Sequence, residues 1–360
     1  MNRKTSLFVT TCFVCCHVIA ALPAHGGELT RKVNPLLGTA TLWTPQDLGY
    51  TRTEEKRAWG AESFPGAALP NAMVQCTPVT MYHTGSGYQY EDHQIYGFAH
   101  TCKGHWNLLH VPLLPVTTEG KWRPDNYCSW FSHQHESARP GYYQVFLDRY
   151  QVNAQLTTTL RCAYHKHPYK AGDEKKLLVD ISHSNARPRH YEVRQAGPRA
   201  FQGYQDGEGR AYFYAVTNYD IEKVETVSEF HEPVGIVSFR QARGPQPLEV
   251  RIGFSFVSID NARANLEAEL LQSGKSFQQV STDADQTWEQ LLGHVCGYGI
   301  VIKVLNVMAV YSESWKTFLC MGSENCSQIH GSGSFGSVEA PYGLWPIGIH
   351  VHGLGTVAPA

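Results

Sequence analysis

Two His-x-His pairs are the residues of this chain whose spacing best suits metal binding. They are His133 with His135, directly before Glu136, and His165 with His167. On a β-strand, positions i and i+2 share a face, so two such imidazoles can ligate one ion. A chain with 18 histidines also places such pairs on exposed strand edges by chance. Because the spacing supplies no third ligand, the sequence predicts no metal site.

Carboxylates near histidines are the second candidate for chemistry. Acid/base cleavage of a glycosidic bond needs two of them on opposite sides of that bond. Glu62, Glu91, Asp92 and Glu136 are available, but spacing alone does not pair them across a cleft. We therefore interpret them as solvated surface charge and predict no catalytic residue in this chain.

Two further motifs are excluded by their context. Residues 331–336 match G-x-G-x-x-G, but no buried strand precedes them and no amphipathic helix follows, as a dinucleotide site requires. The sequence also lacks the G-x-S-x-G nucleophile elbow of serine hydrolases.

Charge and aromatic content limit the partners. Thirty basic and 32 acidic residues leave a formal net charge of −2, which argues against nucleic acid or an acidic membrane surface as partner. Aromatic residues make up 12% of the chain. They suit stacking on sugar rings, and a β-rich core uses the same residues.

The N-terminus predicts export. Arg3 and Lys4 precede an apolar run over residues 7–22, and Ala24 and Gly26 supply small residues before a cleavage point at Gly27. This is the layout of a secretory signal peptide over residues 1–26. The run is too short and too interrupted for a membrane span. We expect a soluble periplasmic or extracellular protein.

The elements that must position any site are predicted to be strands. Apolar and polar residues alternate over residues 154–164 and 250–256, which is typical of half-buried antiparallel strands. Turn residues at 140–141, 171–173 and 206–209 separate such runs. The pattern predicts a large antiparallel β-sandwich over residues 27–260. Helices at 261–272 and at about 283–294 then form a helical linker over residues 261–295.

Four cysteines remain in the predicted β-domain, namely Cys76, Cys102, Cys128 and Cys162. None has C-x-x-C spacing. In an exported protein they can pair as disulfides, and four cysteines allow three connectivities. The sequence does not choose between them.

Several sequence blocks, in this order along the chain, resemble the N-terminal domain of glycoside hydrolase family 92. The blocks are VNPLLGT at 33–39, FPGAALPNAMVQ at 64–75, SGYQY at 86–90, IYGFAHT at 95–101, SH at 132–133, PGYY at 140–143 and LTTTLRCAYHKHPY at 156–169. A weaker likeness continues through the linker helices to Trp288. Ordered agreement over many blocks is a specific signal.

The resemblance implies an exported exo-α-mannosidase that hydrolyses α-linked mannose with inversion and depends on calcium. The family's architecture is a β-supersandwich, a helical linker and an (α/α)6 barrel. The barrel holds the catalytic acid and base and much of the calcium site. Calcium is thus implied for the full-length enzyme, and none is expected in this chain. A mannose-containing glycan is the implied partner, and oligomeric state stays open.

The resemblance also implies which residues contact sugar. The family's N-terminal domain contributes loops to the rim of the pocket, and residues 97–107 match such a loop best. Trp106 is expected to stack on a sugar face, and His105 and Asn107 to donate to hydroxyls; Trp59 is a weaker candidate. After Thr101 this chain departs from the second His and Ser-Gly run of many members. The alternative for Trp106 is an ordinary core position.

Residues 296–360 differ from the rest. They hold ten glycines and five charged side chains, with no Asp or Arg, and no helical or strand period. They are predicted not to form a domain, and a frameshift near Cys296 explains them economically; a genuine short C-terminal segment is the rival. We therefore expect an N-terminal mannosidase domain cut off from its barrel and inactive alone. The alternative is a stand-alone carbohydrate-binding or structural module without catalysis.

Overall fold

The computed structural model describes residues 27–41, 63–102, 108–117, 124–207, 209–229 and 232–296. Within these ranges, all strand pairs are antiparallel, and two large sheets share one hydrophobic core. The predicted mainly-β sandwich followed by helices is confirmed. The predicted signal peptide over residues 1–26 and the tail beyond Cys296 lie outside the described residues, so both stay predictions.

Seventeen strands are described. The first nine are β1 (Ala67–Ala68), β2 (Gln75–Val79), β3 (Gln94–Ile95), β4 (Gly97–Ala99), β5 (Leu113–Val116), β6 (Ser129–Trp130), β7 (Glu136–Arg139), β8 (Tyr142–Leu147) and β9 (Val152–Thr158). The others are β10 (Cys162–His167), β11 (Lys176–Asp180), β12 (His190–Gly197), β13 (Ala200–Gly207), β14 (Gly209–Thr217), β15 (Ile221–Glu229), β16 (Glu232–Phe239) and β17 (Leu248–Ser255).

The strands form a seven-stranded sheet in the order β1-β2-β4-β5-β11-β16-β15 and an eight-stranded sheet in the order β12-β13-β14-β17-β10-β9-β8-β7. Strands β3 and β6 form a separate short pair. The predicted alternation at residues 250–256 places Val250, Ile252 and Phe254 in the core on β17. Alternation works because successive side chains of a strand point to opposite faces.

Two of the three described α-helices follow the sandwich. A short helix α1 (Pro124–Tyr127) lies within the β region, and α2 (Ile259–Leu266) continues as a π-helix over Glu267–Leu271. The last helix, α3, spans Phe277–Cys296, so the predicted start at about Asp283 is wrong. Ser276 and Gln279 cap it reciprocally: the Ser276 N–H donates to Gln279 Oε1 at 2.9 Å, and the Gln279 N–H donates to Ser276 Oγ at 3.4 Å. This S-x-x-Q capping box was the missed signal.

Helices α2 and α3 pack on the outer face of the eight-stranded sheet. Cys162 and Tyr164 of β10 contact a cluster that includes Leu266, Leu270 and Phe277. A Cβ on Gly253 of β17 would lie 2.4 Å from a backbone oxygen of α2, so glycine permits this close approach. None of the described helices is long and apolar enough to cross a membrane.

The cysteines behave as core residues. Cys76, Cys102, Cys128 and Cys162 are all buried, and Cys76 and Cys162 carry free thiols. The disulfides that export would permit are therefore not formed by these two residues. A buried free cysteine packs as a small apolar side chain.

Candidate functional site

The four residues predicted to contact sugar, Trp59, His105, Trp106 and Asn107, lie outside the described residues, so their role stays a prediction. His105, Trp106 and Asn107 belong to residues 103–107, and the structure describes the residues that precede and follow this segment. Cys102 and Leu108 pair in an isolated β-bridge. We call residues 100–102 and 108–111 the stem.

The stem holds an unusual backbone. Leu108, Leu109 and Val111 have φ angles of 65°, 62° and 50°, in the left-handed region that non-glycine residues rarely adopt. Each such residue costs on the order of 1 kcal/mol and persists only where its surroundings enforce it. Backbone strain of this kind concentrates at binding and catalytic sites, which marks the stem as a candidate.

Hydrogen bonds inside the stem enforce that backbone. The Leu109 N–H donates to Thr101 O at 2.7 Å, and the His110 N–H donates to Thr101 Oγ1 at 3.1 Å. Burial lowers the pKa of His110 to about 4, so its ring is neutral near pH 7. The Thr101 hydroxyl and His110 Nδ1 lie 2.8 Å apart and share a hydrogen bond.

A buried glutamine ties the stem to a second loop. Gln205, on β13, accepts the Val111 N–H at 2.8 Å through Oε1. Its Nε2 donates to Ile181 O at 3.0 Å and to His183 O at 3.1 Å. One amide therefore fixes the stem against residues 181–183, which directly follow β11.

Asp180, the last residue of β11, organises that second loop. Its fully buried carboxylate accepts from the hydroxyls of Tyr82 at 2.8 Å and Tyr127 at 2.5 Å, and from the His183 N–H at 3.0 Å. Burial by itself raises the pKa of Asp180. Hydrogen bonds and charge from His183, with the two tyrosine hydroxyls, outweigh that effect and hold the pKa below its usual value.

Asp180 also orients an imidazole. His183 Nδ1 lies 3.0 Å from Asp180 Oδ1, and the His183 side chain is one-fifth exposed. A carboxylate that accepts from one ring nitrogen fixes the tautomer and directs Nε2 outward. Such a ring can accept a hydroxyl proton or contact a polar ligand at the protein surface.

A cavity of about 620 Å³ opens beside this loop. It is lined by Ala186, Arg187, Arg189, His190, Asp206, Gly207, Gly209 and Arg210. The Ala186 N–H donates to Leu108 O at 3.0 Å, which joins the cavity wall to the stem. A Cβ on Gly207 would lie 2.0 Å from Ala186 O, so glycine is required at that contact. We call the stem, residues 180–190, residues 205–207 and residues 209–210 the loop end.

The lining of the cavity is mainly basic. Asp206 accepts from Arg210 at 2.9 Å and lies 3.1 Å from His190 Nδ1. The hydrogen bond from Arg210, with lesser help from His190, lowers the pKa of Asp206 to about 2. Three arginines line the cavity, and guanidinium groups suit polar ligands that carry several acceptor oxygens.

Replacing Arg210 with alanine is expected to raise the pKa of the Asp206 carboxyl toward its usual 3.8, because the hydrogen bond that contributes most to the lowering is lost. A ¹³C-detected titration of the carboxyl resonance measures it. The matched control is Arg243→Ala, which removes an exposed arginine paired with Glu174 elsewhere. An unchanged Asp206 titration in Arg210→Ala would contradict the assigned hydrogen bond.

The described carboxylates among the acid/base candidates make hydrogen bonds within the fold. Glu91 accepts from Thr41, and Asp92 accepts from Thr80 Oγ1 at 2.8 Å. The Glu136 side chain is fully buried and accepts from the hydroxyls of Tyr88 and Tyr143, so the interpretation of Glu136 as solvated surface charge is wrong. Glu62 lies outside the described residues.

The two His-x-His pairs adopt different structures. His133 and His135 lie in a 3₁₀ turn rather than on a strand, and His133 pairs with Glu136 at 2.6 Å. His165 and His167 do share a face of β10, but both are fully buried, so the interpretation as an exposed edge is wrong. Asp180 and Gln205 were not predicted from the sequence; for Asp180, the polar run that follows a strand at 180–185 was the available signal.

The fold is that of the N-terminal β-sandwich domain of a glycoside hydrolase. The model of the glycosyl hydrolase family 92 N-terminal domain matches residues 32–255. The chain belongs to that family, and the resemblance seen in the sequence is confirmed.

Individual relatives match over a similar share of their own chains. An uncharacterized secreted glycosidase of Arthroderma benhamiae is 24% identical over 315 residues, covering 75% of this chain and 38% of the relative. A family GH92 α-mannosidase from Bacteroides thetaiotaomicron is 25% identical with a TM-score of 0.63, covering 74% of this chain and 38% of that chain. An inverting GH92 mannosidase from the same organism is 22% identical with a TM-score of 0.59, covering 74% and 36%. This chain therefore spans less than two-fifths of each.

Proposed function

We propose that this chain is the N-terminal β-domain of an exported α-mannosidase-like glycosidase and that its loop end forms part of a pocket for a mannose-containing glycan. Membership of family 92 over residues 32–255 carries the proposal. The similarity to an α-mannosidase supports mannose as the sugar, and the similarity to a glycosidase named as secreted supports export.

The loop end supplies the geometry for sugar recognition. Residues 103–107 are bounded by the stem, which is fixed to the wall of the arginine-lined cavity through Ala186 and to the Asp180 loop through Gln205. Trp106 offers a flat apolar face for a sugar ring, and His105 and Asn107 offer donors to its hydroxyls. Sugar sites combine these two kinds of contact.

We also propose that this chain does not hydrolyse glycosides by itself. The described candidates Glu91, Asp92 and Glu136 are all held in hydrogen bonds that stabilise the fold. The catalytic pair and the calcium of the family are assigned to the barrel of the full-length enzymes. This chain would then contribute binding and pocket shape rather than proton transfer.

Titration of the purified chain with methyl α-mannoside, followed by ¹⁵N chemical shifts, tests the sugar site. We expect a dissociation constant on the order of 1 mM or weaker, as befits part of a pocket. Trp106→Ala should weaken binding about three- to tenfold, the value of one aromatic face. Trp130→Ala is the matched control, because Trp130 is 56% exposed on β6.

Two outcomes would contradict the proposal. Equal binding by the wild type and Trp106→Ala would remove the predicted loop from the site. Release of mannose from aryl α-mannosides with calcium present would show that this chain is active alone. Absence of any saturable shift would instead favour the alternative of a structural module.

A further inference from the structure

Three metal-ligating side chains converge in the interior between the two sheets. Cys76 lies on β2, His100 directly follows β4, and His165 lies on β10. All three are fully buried. His100 Nε2 lies 2.8 Å from His165 Nε2, and Cys76 Sγ lies 3.5 Å from His165 Nε2. The three ligand atoms lie within 4.8 Å of one another; we call them the inter-sheet cluster.

Backbone pairing fixes where these side chains stand. The Gln75 N–H donates to His100 O at 3.1 Å, which sets β2 beside His100, and the His100 N–H donates to His110 O at 3.0 Å. His165 is paired on both sides, with Leu156 of β9 and Val250 of β17. The cluster thus joins side chains from β2, from β10 and from the residue that follows β4, and it bridges the two sheets.

The hydrogen bonds define which ring nitrogens of His100 and His165 carry a proton. His100 Nδ1–H donates to Val111 O at 2.8 Å, so its Nε2 carries the lone pair that faces the cluster. His165 Nε2–H must then donate to His100 Nε2. An outer nitrogen bonded to a backbone carbonyl is the usual arrangement of a metal-bound histidine.

The surroundings keep all three groups neutral. Burial lowers the pKa of His100 to about 3 and the pKa of His165 well below its usual value, and it raises the pKa of the Cys76 thiol. Phe254 stacks on His100 with ring centres 4.7 Å apart. The His100 Nε2 lone pair faces the cluster, and the Phe254 ring covers one face of that imidazole.

We propose that the inter-sheet cluster binds one thiophilic d¹⁰ cation, Cu⁺ or Zn²⁺, through Cys76 Sγ, His100 Nε2 and His165 Nε2. Three ligands at about 2.0–2.1 Å for nitrogen and about 2.3 Å for sulfur, at angles between tetrahedral and trigonal, are separated from one another by about 3.3–3.8 Å. The Cys76–His165 distance already fits. The two imidazoles need to separate by about 0.5 Å.

Proton and charge balance favour the monovalent ion. Binding releases the thiol proton of Cys76 to solvent and moves the ring proton of His165 from Nε2 to Nδ1. One thiolate and two neutral imidazoles then leave a Cu⁺ complex neutral and a Zn²⁺ complex with one positive charge. Because a buried net charge is costly, Cu⁺ is expected to bind more tightly.

Unpaired nitrogens lie beside the cluster. His165 Nδ1 and both ring nitrogens of His167 are buried without a hydrogen-bond partner among the described residues. The His165 and His167 ring centres are 5.4 Å apart. Nearly all buried polar atoms in proteins are paired, so these nitrogens are exceptions. The proposed ion binds His165 through Nε2 and leaves them unpaired. The site shares His100 with the stem, and its three ligand residues are fully buried.

Metal titration of the full chain after chelator treatment tests the proposal. We expect one equivalent of Cu⁺ by competition with a chromophoric Cu⁺ chelator, and one equivalent of Zn²⁺ in a separate arm. Co²⁺ used in place of Zn²⁺ should give a thiolate charge-transfer band. Both stoichiometric binding and the band should be lost in Cys76→Ser and kept in Cys162→Ser, which alters another fully buried thiol.

The histidine ligand is tested in parallel. His165→Gln should weaken binding at least tenfold, and His135→Gln, which alters an exposed histidine of the other His-x-His pair outside the cluster, should not. Circular dichroism of the metal-free variants checks that each keeps the β-fold. Substoichiometric binding of both ions by the wild type would overturn the site, and this measurement does not depend on any variant folding. Equal affinity in the wild type and a folded Cys76→Ser would also overturn it.

Discussion

Asp180→Ala is expected to lower the free energy of unfolding by about 3–5 kcal/mol. The fully buried carboxylate accepts from two tyrosine hydroxyls, from backbone N–H groups and from His183. Alanine leaves these donors in the interior without an acceptor. The cost of unpaired buried donors exceeds what the lost bonds themselves contribute.

Urea unfolding followed by tryptophan fluorescence measures this loss. Asp148→Ala is the matched control, since Asp148 is an exposed aspartate after β8 and its loss should change stability by less than about 0.5 kcal/mol. Asp180→Asn keeps the shape but adds donors that face donors, so an intermediate loss is expected. A stability change in Asp180→Ala as small as that of Asp148→Ala would show that the carboxylate does not organise the loop end.

The acid limb of stability supplies a second measurement on the same variant. The folded-state pKa of Asp180 is lower than its usual value of 3.8, so the unfolded chain binds the proton more readily. Its stabilising contribution is therefore complete above pH 3.8 and is lost as the pH falls through the folded-state pKa. Asp180→Ala should show a shallower decline of stability below pH 4 than the wild type.

The strands could be predicted because burial on one face leaves a period of two. Residues 250–256 show that period, and β17 buries Val250 and Ile252 as the alternation predicts. Strand β11 is different, because all five of its residues are buried, Asp180 included. No alternation marks such a strand. The acceptor role of Asp180 depends on Tyr82 and Tyr127, which lie 98 and 53 positions away in the sequence.

Spacing along the sequence did not predict the local structure where tertiary contacts determine it. His133 and His165 begin identical His-x-His patterns, yet one starts a 3₁₀ turn and the other is in the middle of a buried strand. The inter-sheet cluster was invisible to spacing for the same reason. Its second imidazole, His100, lies 65 positions from His165, and its thiol lies 89 positions away. Only the pairing of the sheets brings them together.

The other large effect concerns Trp288, on the last helix of the predicted linker. Trp288 is 1% exposed, and its Nε1–H donates to Ala68 O on β1 at 2.7 Å. The ring packs with Val33 and Leu292. Trp288→Ala should lower the free energy of unfolding by about 3–5 kcal/mol through the cavity and the unpaired carbonyl.

Trp130→Ala is the matched control, because the same ring is removed from an exposed position and less than about 1 kcal/mol should be lost. Trp288→Phe keeps most of the volume but not the donor, so its loss should lie between the two. Equal stability of Trp288→Ala and Trp130→Ala in urea would mean that α3 is only a connector. A loss of several kcal/mol would mean that α3 and the N-terminal residues near Val33 fold as one unit with the sandwich, since a single side chain then couples the helix, β1 and the N-terminal segment.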